Sequence, residues 1–89
     1  MSFGIFLDDK AIEQLDNLDN SIRIRLLKKL KQMEGKDTAR HLEKGLPYFV
    51  EEIGQYRIAF ILKREIMQKQ VVFIGDHKDY GKWCRLQGF

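Results

Sequence analysis

The chain has little of what staples, anchors or metallates a protein. It holds one cysteine, Cys84, one proline and two histidines in 89 residues. A single thiol excludes an internal disulfide, and with two histidines it does not supply a four-ligand zinc site. No stretch approaches the roughly 18 to 20 apolar residues that cross a bilayer. The opening run, MSFGIFLDDK, is too short and wrongly flanked for a signal peptide. Internal repeats, low-complexity runs and linkers are also lacking. These absences lead us to expect a cytoplasmic protein with no membrane partner, no metal and no cofactor. What is present suffices for a core: 44% of residues are hydrophobic, with six Phe, three Tyr and one Trp. That excludes a disordered tail and fits a single domain over residues 1–89.

Charge is uneven along the chain. Residues 1–19 carry one lysine, Lys10, against five acids, whereas residues 20–45 carry eight Lys or Arg against three acids. Residues 56–89 carry seven Lys or Arg against three acids. A basic middle and end suit a polyanion such as nucleic acid, although a solvated basic surface has the same composition.

Hydrophobic periodicity sets the elements. SFGIFL suits a first strand, and Asp8 reads as the N-cap of a short helix with Ile12, Leu15 and Leu18 on one stripe. Asp19 or Asn20 can cap a second helix, in which Ile22, Leu26, Leu27, Leu30 and Met33 follow the helical period. Gly35 ends it, and Arg23, Arg25, Lys28, Lys29 and Lys31 form its outer face. Residues 36–46 read as a polar connection with one helical turn around Leu42. Beyond Pro47 the period becomes two, and YFVEEI, QYRIAFILK and KQVVFIG are strand candidates. Gly54-Gln55 fits a two-residue hairpin turn, and REIMQ a looser one. In the tail, Tyr80, Trp83 and Leu86 recur every third residue, as in a short helix or turn that packs back on the sheet. The fold class expected is α+β: two antiparallel N-terminal helices on one face of a twisted, mainly antiparallel sheet of about four strands, with a short C-terminal helix or turn.

One strand candidate raises a chemical question. In GQYRIAFIL a permanent positive charge, Arg57, interrupts an apolar run. With Tyr56, Ile58, Phe60 and Leu62 facing the helices, Arg57, Ala59, Ile61 and Lys63 face away. There Arg57 either pairs with Glu51 or Glu52 across the hairpin or points at a bound anion. The segment FIGDHKDYGKW then gathers His77, Lys78, Tyr80, Lys82 and Trp83 after the last strand. A histidine transfers protons near neutral pH, lysines neutralise phosphate, and aromatic rings stack on bases at about 1–3 kcal/mol each. The same residues also serve as a helix cap and a small core.

GQYRIAFIL and FIGDHKDYGKW resemble, respectively, the G-x-Y-R-hydrophobic strand and the closing strand and C-terminal motif of the RelE/ParE superfamily of toxins. The order of elements, including a Leu-x-x-Gly step in HLEKG, is similar over nearly the whole chain. The resemblance implies a ribosome-dependent endoribonuclease, an mRNA interferase acting without metal, held inactive by an antitoxin encoded next to it. It further implies that Arg57 stabilises the phosphate and that His77 is the catalytic acid or base. Trp83 or Tyr80 would be the C-terminal aromatic, Lys63, Lys78 and Lys82 would contact RNA, and Glu51 or Glu52 would be a general base. The chain departs from RelE proper in two ways. The lysine pair before the arginine is replaced by VEEI, and a tryptophan, unable to transfer a proton, stands in place of a tyrosine.

Two alternatives share the fold: a ParE-like gyrase inhibitor, against which His77 argues, and a non-toxic basic module that binds RNA or a partner. The partners expected are messenger RNA on the ribosome and an antitoxin with an acidic segment, drawn to Lys28, Lys29, Lys31 and the basic C-terminal third.

Overall fold

The computed structural model describes residues 2–36, 40–41 and 48–87. In chain order these form β1 (Gly4–Leu7), α1 (Asp9–Asp16), α2 (Asn20–Met33), β2 (Arg40–His41), β3 (Tyr48–Ile53), β4 (Tyr56–Lys63), β5 (Gln68–Asp76) and α3 (His77–Leu86). The strands make one sheet in the order β1-β5-β4-β3-β2. Strands β3, β4 and β5 form an antiparallel meander, and β1 closes the sheet by running parallel to β5. The expected α+β architecture therefore holds, with a two-residue strand, Arg40–His41, added in the polar connection. The helical turn expected around Leu42 and the HLEKG step fall largely outside the described residues.

Local chemistry explains the boundaries. Asp8 caps α1 by accepting from the Ala11 N–H at 2.8 Å. Asp19 occupies the cap of α2 without a side-chain bond, while Arg23 donates to Asn20 Oδ1 and to the Asp16 carbonyl. Ile53 opposes Tyr56, so Gly54-Gln55 is a two-residue turn, and Gly54 supplies its φ of 58°. The β4–β5 connection is a 3₁₀ turn over Arg64–Ile66 that ends at Met67, whose φ is also positive.

Helices α1 and α2 bury Ala11, Leu15, Leu26, Leu30 and Met33 against Ile58, Phe60, Val71 and Ile74. Two residues expected on those stripes are not in this core. Ile12 is 45% and Leu27 48% exposed, because Ala11 and Leu26 take the inward positions. Leu86, expected to pack with Tyr80 and Trp83, is 83% exposed.

Two polar groups tie the helices to β5. Past the end of β1 the edge of β5 has no strand partner among the described residues, and Gln14 Oε1 of α1 accepts from the Ile74 N–H at 2.8 Å. Lys69 is fully buried. Its ammonium donates to the Met33 carbonyl at 2.8 Å and to the Lys36 carbonyl, at the end of α2. The same nitrogen lies 4.8 Å from the Phe3 ring centroid and 5.4 Å from that of Phe60. A cation at a helix C-terminus meets carbonyls without intrahelical partners and the negative end of the helix dipole. Lys69→Ala takes the ammonium from those carbonyls, leaving Met33 only the Lys36 N–H at 3.3 Å, and opens a cavity, so urea unfolding should show a loss of about 3 kcal/mol. A loss below about 1 kcal/mol would mean that the clamp is not structural.

Candidate functional site

The site is built from cross-strand rows on the sheet face away from α1 and α2. Val50 opposes Ala59, which opposes Phe73. One step further toward the β3–β4 turn, Glu52 opposes Arg57, which opposes Gly75. Strand β5 reaches this arrangement through a bulge: Phe60 pairs with Val71 and Ala59 with Phe73, which leaves Val72 as the extra residue. Val71 and Ile74 thereby face the helical core, while Phe73 and Gly75 face the other way.

Helix α3 covers part of that second face. Asp76 caps it by accepting from the Asp79 N–H at 2.8 Å. No residue of α3 is fully buried, and its docking relies on half-buried rings. Trp83 lies 5.3 Å from Phe73, 5.2 Å from Tyr48 and 6.1 Å from Tyr80, centroid to centroid. These distances suit favourable aromatic pairs. Tyr80 and Trp83 thus hold α3 on the sheet through Phe73 and Tyr48, two residues that the sequence reading did not connect with them.

Arg57 is a fixed cation. Its guanidinium donates to the carbonyls of Gly54 at 3.0 Å and Tyr56 at 2.9 Å, and its Nε lies 3.6 Å from Glu52 Oε2. The side chain is 20% exposed, against 45% for that of Glu52. The ion pair expected across the hairpin is present, with Glu52. Gly75, beside Arg57, is buried, and the Phe73 ring and Asp79 of α3 close over it. A methyl group on Gly75 would stand 2.7 Å from the Phe73 ring. His77 follows two residues later as the first residue of α3. Its backbone N–H donates to the Gln55 carbonyl at 2.8 Å, which pins the start of α3 to the β3–β4 turn. The imidazole is exposed.

The other candidates separate. Glu51 sits on the helix face of the sheet, 6% exposed, with Lys29 at 3.4 Å and Lys36 at 3.2 Å. The sheet divides it from Arg57, so of the two glutamates only Glu52 shares the arginine's face. Lys63 lies at the opposite end of β4, six residues or about 20 Å from Arg57. It lines a groove with Phe49, Leu62, Arg64, Glu65 and Ile66. Lys78 and Lys82 are exposed one turn apart on α3, and Arg85 continues their face. On α2 the expected basic outer face is partly spent: Lys29 turns inward to Glu51, and Lys31 pairs with Glu34 at 3.2 Å. Among the described residues no group of three or more His, Cys, Asp or Glu side chains is arranged to hold a metal ion. Nor, among them, is any helix long and apolar enough to cross a membrane.

This architecture is that of the RelE-like fold. The chain superposes on the M. tuberculosis RelBE2 toxin-antitoxin complex with a TM-score of 0.78 at 12% identity, over 86% of this chain and 100% of that one. For a mutant of the E. coli toxin RelE in the free state the TM-score is 0.77 at 18% identity, over 94% and 93% of the two chains. The archaeal RelE-RelB complex from Pyrococcus horikoshii matches with a TM-score of 0.70 at 12% identity, over 85% and 96%. No family model and no curated protein matches the sequence.

Gly75 tests how the aromatic layer and the site depend on each other. Gly75→Ala must push the Phe73 ring off its place beneath Trp83. We expect a stability loss of about 1–3 kcal/mol and an altered Trp83 emission spectrum. Wild-type emission and stability would mean that the ring yields freely.

Proposed function

We propose that the protein is the toxin of a toxin-antitoxin pair and acts as a metal-independent endoribonuclease on messenger RNA in the ribosome. The observation that carries this reading is the corner where Arg57, Glu52, Gly75 and the start of α3 at His77 meet. It offers a fixed cation, a carboxylate and a proton-transfer group within a few residues of one hairpin turn. The solved structures of the same fold, named as RelE toxins and RelBE complexes, support the toxin role.

Cleavage by an internal nucleophile needs little from the protein beyond position, charge and proton transfer. A base takes the proton of a ribose 2′-OH, and the 2′-oxygen bonds to the adjacent phosphorus. The P–O5′ bond breaks, an acid protonates the departing 5′-oxygen, and a cyclic 2′,3′-phosphate remains. Arg57 stabilises the extra negative charge on the phosphorane. His77 serves as the acid or base, and Glu52, already beside Arg57, is the candidate for the other role. An arriving phosphate displaces Glu52 from the guanidinium and frees that carboxylate to accept a proton. Lys78 and Lys82 neutralise flanking phosphates. Tyr80 and Trp83 offer only their exposed ring edges, because their remaining surface holds α3.

Induced expression in a bacterium, followed by mapping of messenger ends, tests this reading. Wild type should arrest growth and cut messages at ribosomal positions. Arg57→Ala and His77→Ala should each lower cleavage by at least about 100-fold without loss of folding. Cleavage that survives Arg57→Ala removes that residue from the chemistry. DNA damage with translation intact would instead favour gyrase inhibition, and full growth a non-toxic binding module.

The proposed partner is an antitoxin whose acidic segment covers the basic faces of α3 and α2. Its association rate should fall at least about tenfold between 50 and 500 mM salt, as measured by stopped-flow mixing. A rate that does not change with salt would exclude electrostatic capture.

A further inference from the structure

Helix α2 carries five cations, and the structure distinguishes among them. Arg23 donates to Asn20 and to the Asp16 carbonyl, Lys29 pairs with Glu51, and Lys31 pairs with Glu34. Arg25 and Lys28 are exposed, and neither makes an ion pair with another described residue. Arg25 has a particular address. Its terminal nitrogen lies 3.3 Å from where a Cβ on Gly54 would stand. The β3–β4 turn therefore sits between two guanidiniums, since Arg57 donates to the Gly54 carbonyl at 3.0 Å from the other side. Two such contacts across one residue put the groups no more than about 10 Å apart.

We infer that Arg25 is an RNA-binding residue of the same site, gripping a backbone phosphate next to the one at Arg57. The inference rests on the ribonuclease reading of the Arg57 corner. Three observations carry it beyond that reading. First, the guanidinium has no acidic partner among the described residues, so an arriving phosphate breaks no ion pair and recovers a charge-assisted, bidentate contact. Second, the turn beneath it is glycine, and with only hydrogen at that position the arginine lies close over the backbone. Third, cations line a track around the turn, of which Arg57 is, among the described residues, the one paired with an acid, Glu52. Lys28 stands one turn along α2 from Arg25, Arg57 lies across the turn, and Lys78, Lys82 and Arg85 continue along α3, whose first N–H is bonded to Gln55 of the same turn. A strand with one phosphate per nucleotide that follows this track crosses the β3–β4 turn and brings one linkage to Arg57 and His77. Arg25 acts there in binding and register, with no part in bond making.

The test uses single-turnover cleavage of a messenger on programmed ribosomes, together with anisotropy of a labelled 12-nucleotide single-stranded RNA at several salt concentrations. Wild type, Arg25→Gln, Arg25→Lys, Arg57→Ala and the α1 surface control Lys10→Ala are compared, with melting temperatures as the check on folding. Arg25→Gln should raise the half-saturating protein concentration about fivefold and keep the maximal rate. It should also lower the slope of log affinity against log salt by about 0.7, the share of one single-strand phosphate contact. Arg25→Lys should restore the slope, and Arg57→Ala should lower the maximal rate instead. A shift seen with the 12-mer assigns the phosphate to the messenger, and one seen only with ribosomes assigns it to ribosomal RNA. Wild-type half-saturation and slope for Arg25→Gln in both assays, with Arg57→Ala inactive, would overturn the role of Arg25 and leave the ribonuclease reading intact. A wild-type protein that cleaves nothing would overturn both.

Discussion

The extra residue at Val72 is the constraint on which the two-layer arrangement rests. Strand β5 is buried on both faces, yet its two faces meet different partners. Without a bulge, alternation would send Val71 and Phe73 to the same side and Ile74 to the other. With Val72 looped out, Val71 and Ile74 share the α1–α2 core, and Phe73 turns to meet Trp83 and Tyr80. The same step puts Gly75 opposite Arg57 and lets β5 run into α3 with His77 at the junction. The register shift that completes the hydrophobic core thus also assembles the candidate site.

The two layers are secured by different means. On the α1–α2 side, packing is dense and the polar backbone is answered by side chains: the buried Lys69 on the end of α2 and the half-buried Gln14 on the edge of β5. On the other side, α3 has no fully buried residue and is held by ring contacts, the Asp76 cap and one backbone bond from His77 to Gln55. Stability is accordingly concentrated in the helical core, and the site lies at the seam between a rigid sheet and a lightly docked helix. Positioning on strands keeps Arg57 fixed, while His77, at a helix start tied to a turn, has freedom in its side chain alone.

Much of this was legible in the sequence, for physical reasons that also explain what was not. The period-two runs after Pro47 and the glycine turn at Gly54-Gln55 announce the meander. A two-residue turn also dictates that Glu52, not Glu51, opposes Arg57, because pairing counts outward from Ile53 and Tyr56. The assignment of the glutamates was therefore available from register alone. Lys69 was less so. Its place two residues before Val71 puts it on the core face, but no local rule announces that a lysine will be buried, since its partners, the carbonyls of Met33 and Lys36, lie more than thirty residues away. Ile12 and Leu27 misled because a helix of this size buries a narrow stripe, and Ala11 and Leu26 already fill it. Lys29 and Lys31 read as free surface charge, whereas tertiary and helical neighbours neutralise them.

That last distinction bears on function. A count of basic residues suggests a diffuse cationic surface, but ion pairing within α2 and with the sheet offsets Lys29 and Lys31 and leaves a narrower set. What remains is ordered around one turn: Arg25 and Lys28 on one side, Arg57 beneath, and the α3 lysines beyond. Ion pairs inside the protein thus act as a filter on its field. They partly neutralise Lys29 and Lys31 and leave Arg25 and Lys28 exposed on the same helix. The same filter makes Glu52 informative, since it is the acid that shares the track. An acid beside Arg57 costs some attraction for phosphate. Under the proposed ribonuclease function, Glu52 beside Arg57 gives the site a carboxylate that can exchange a proton with the reacting sugar.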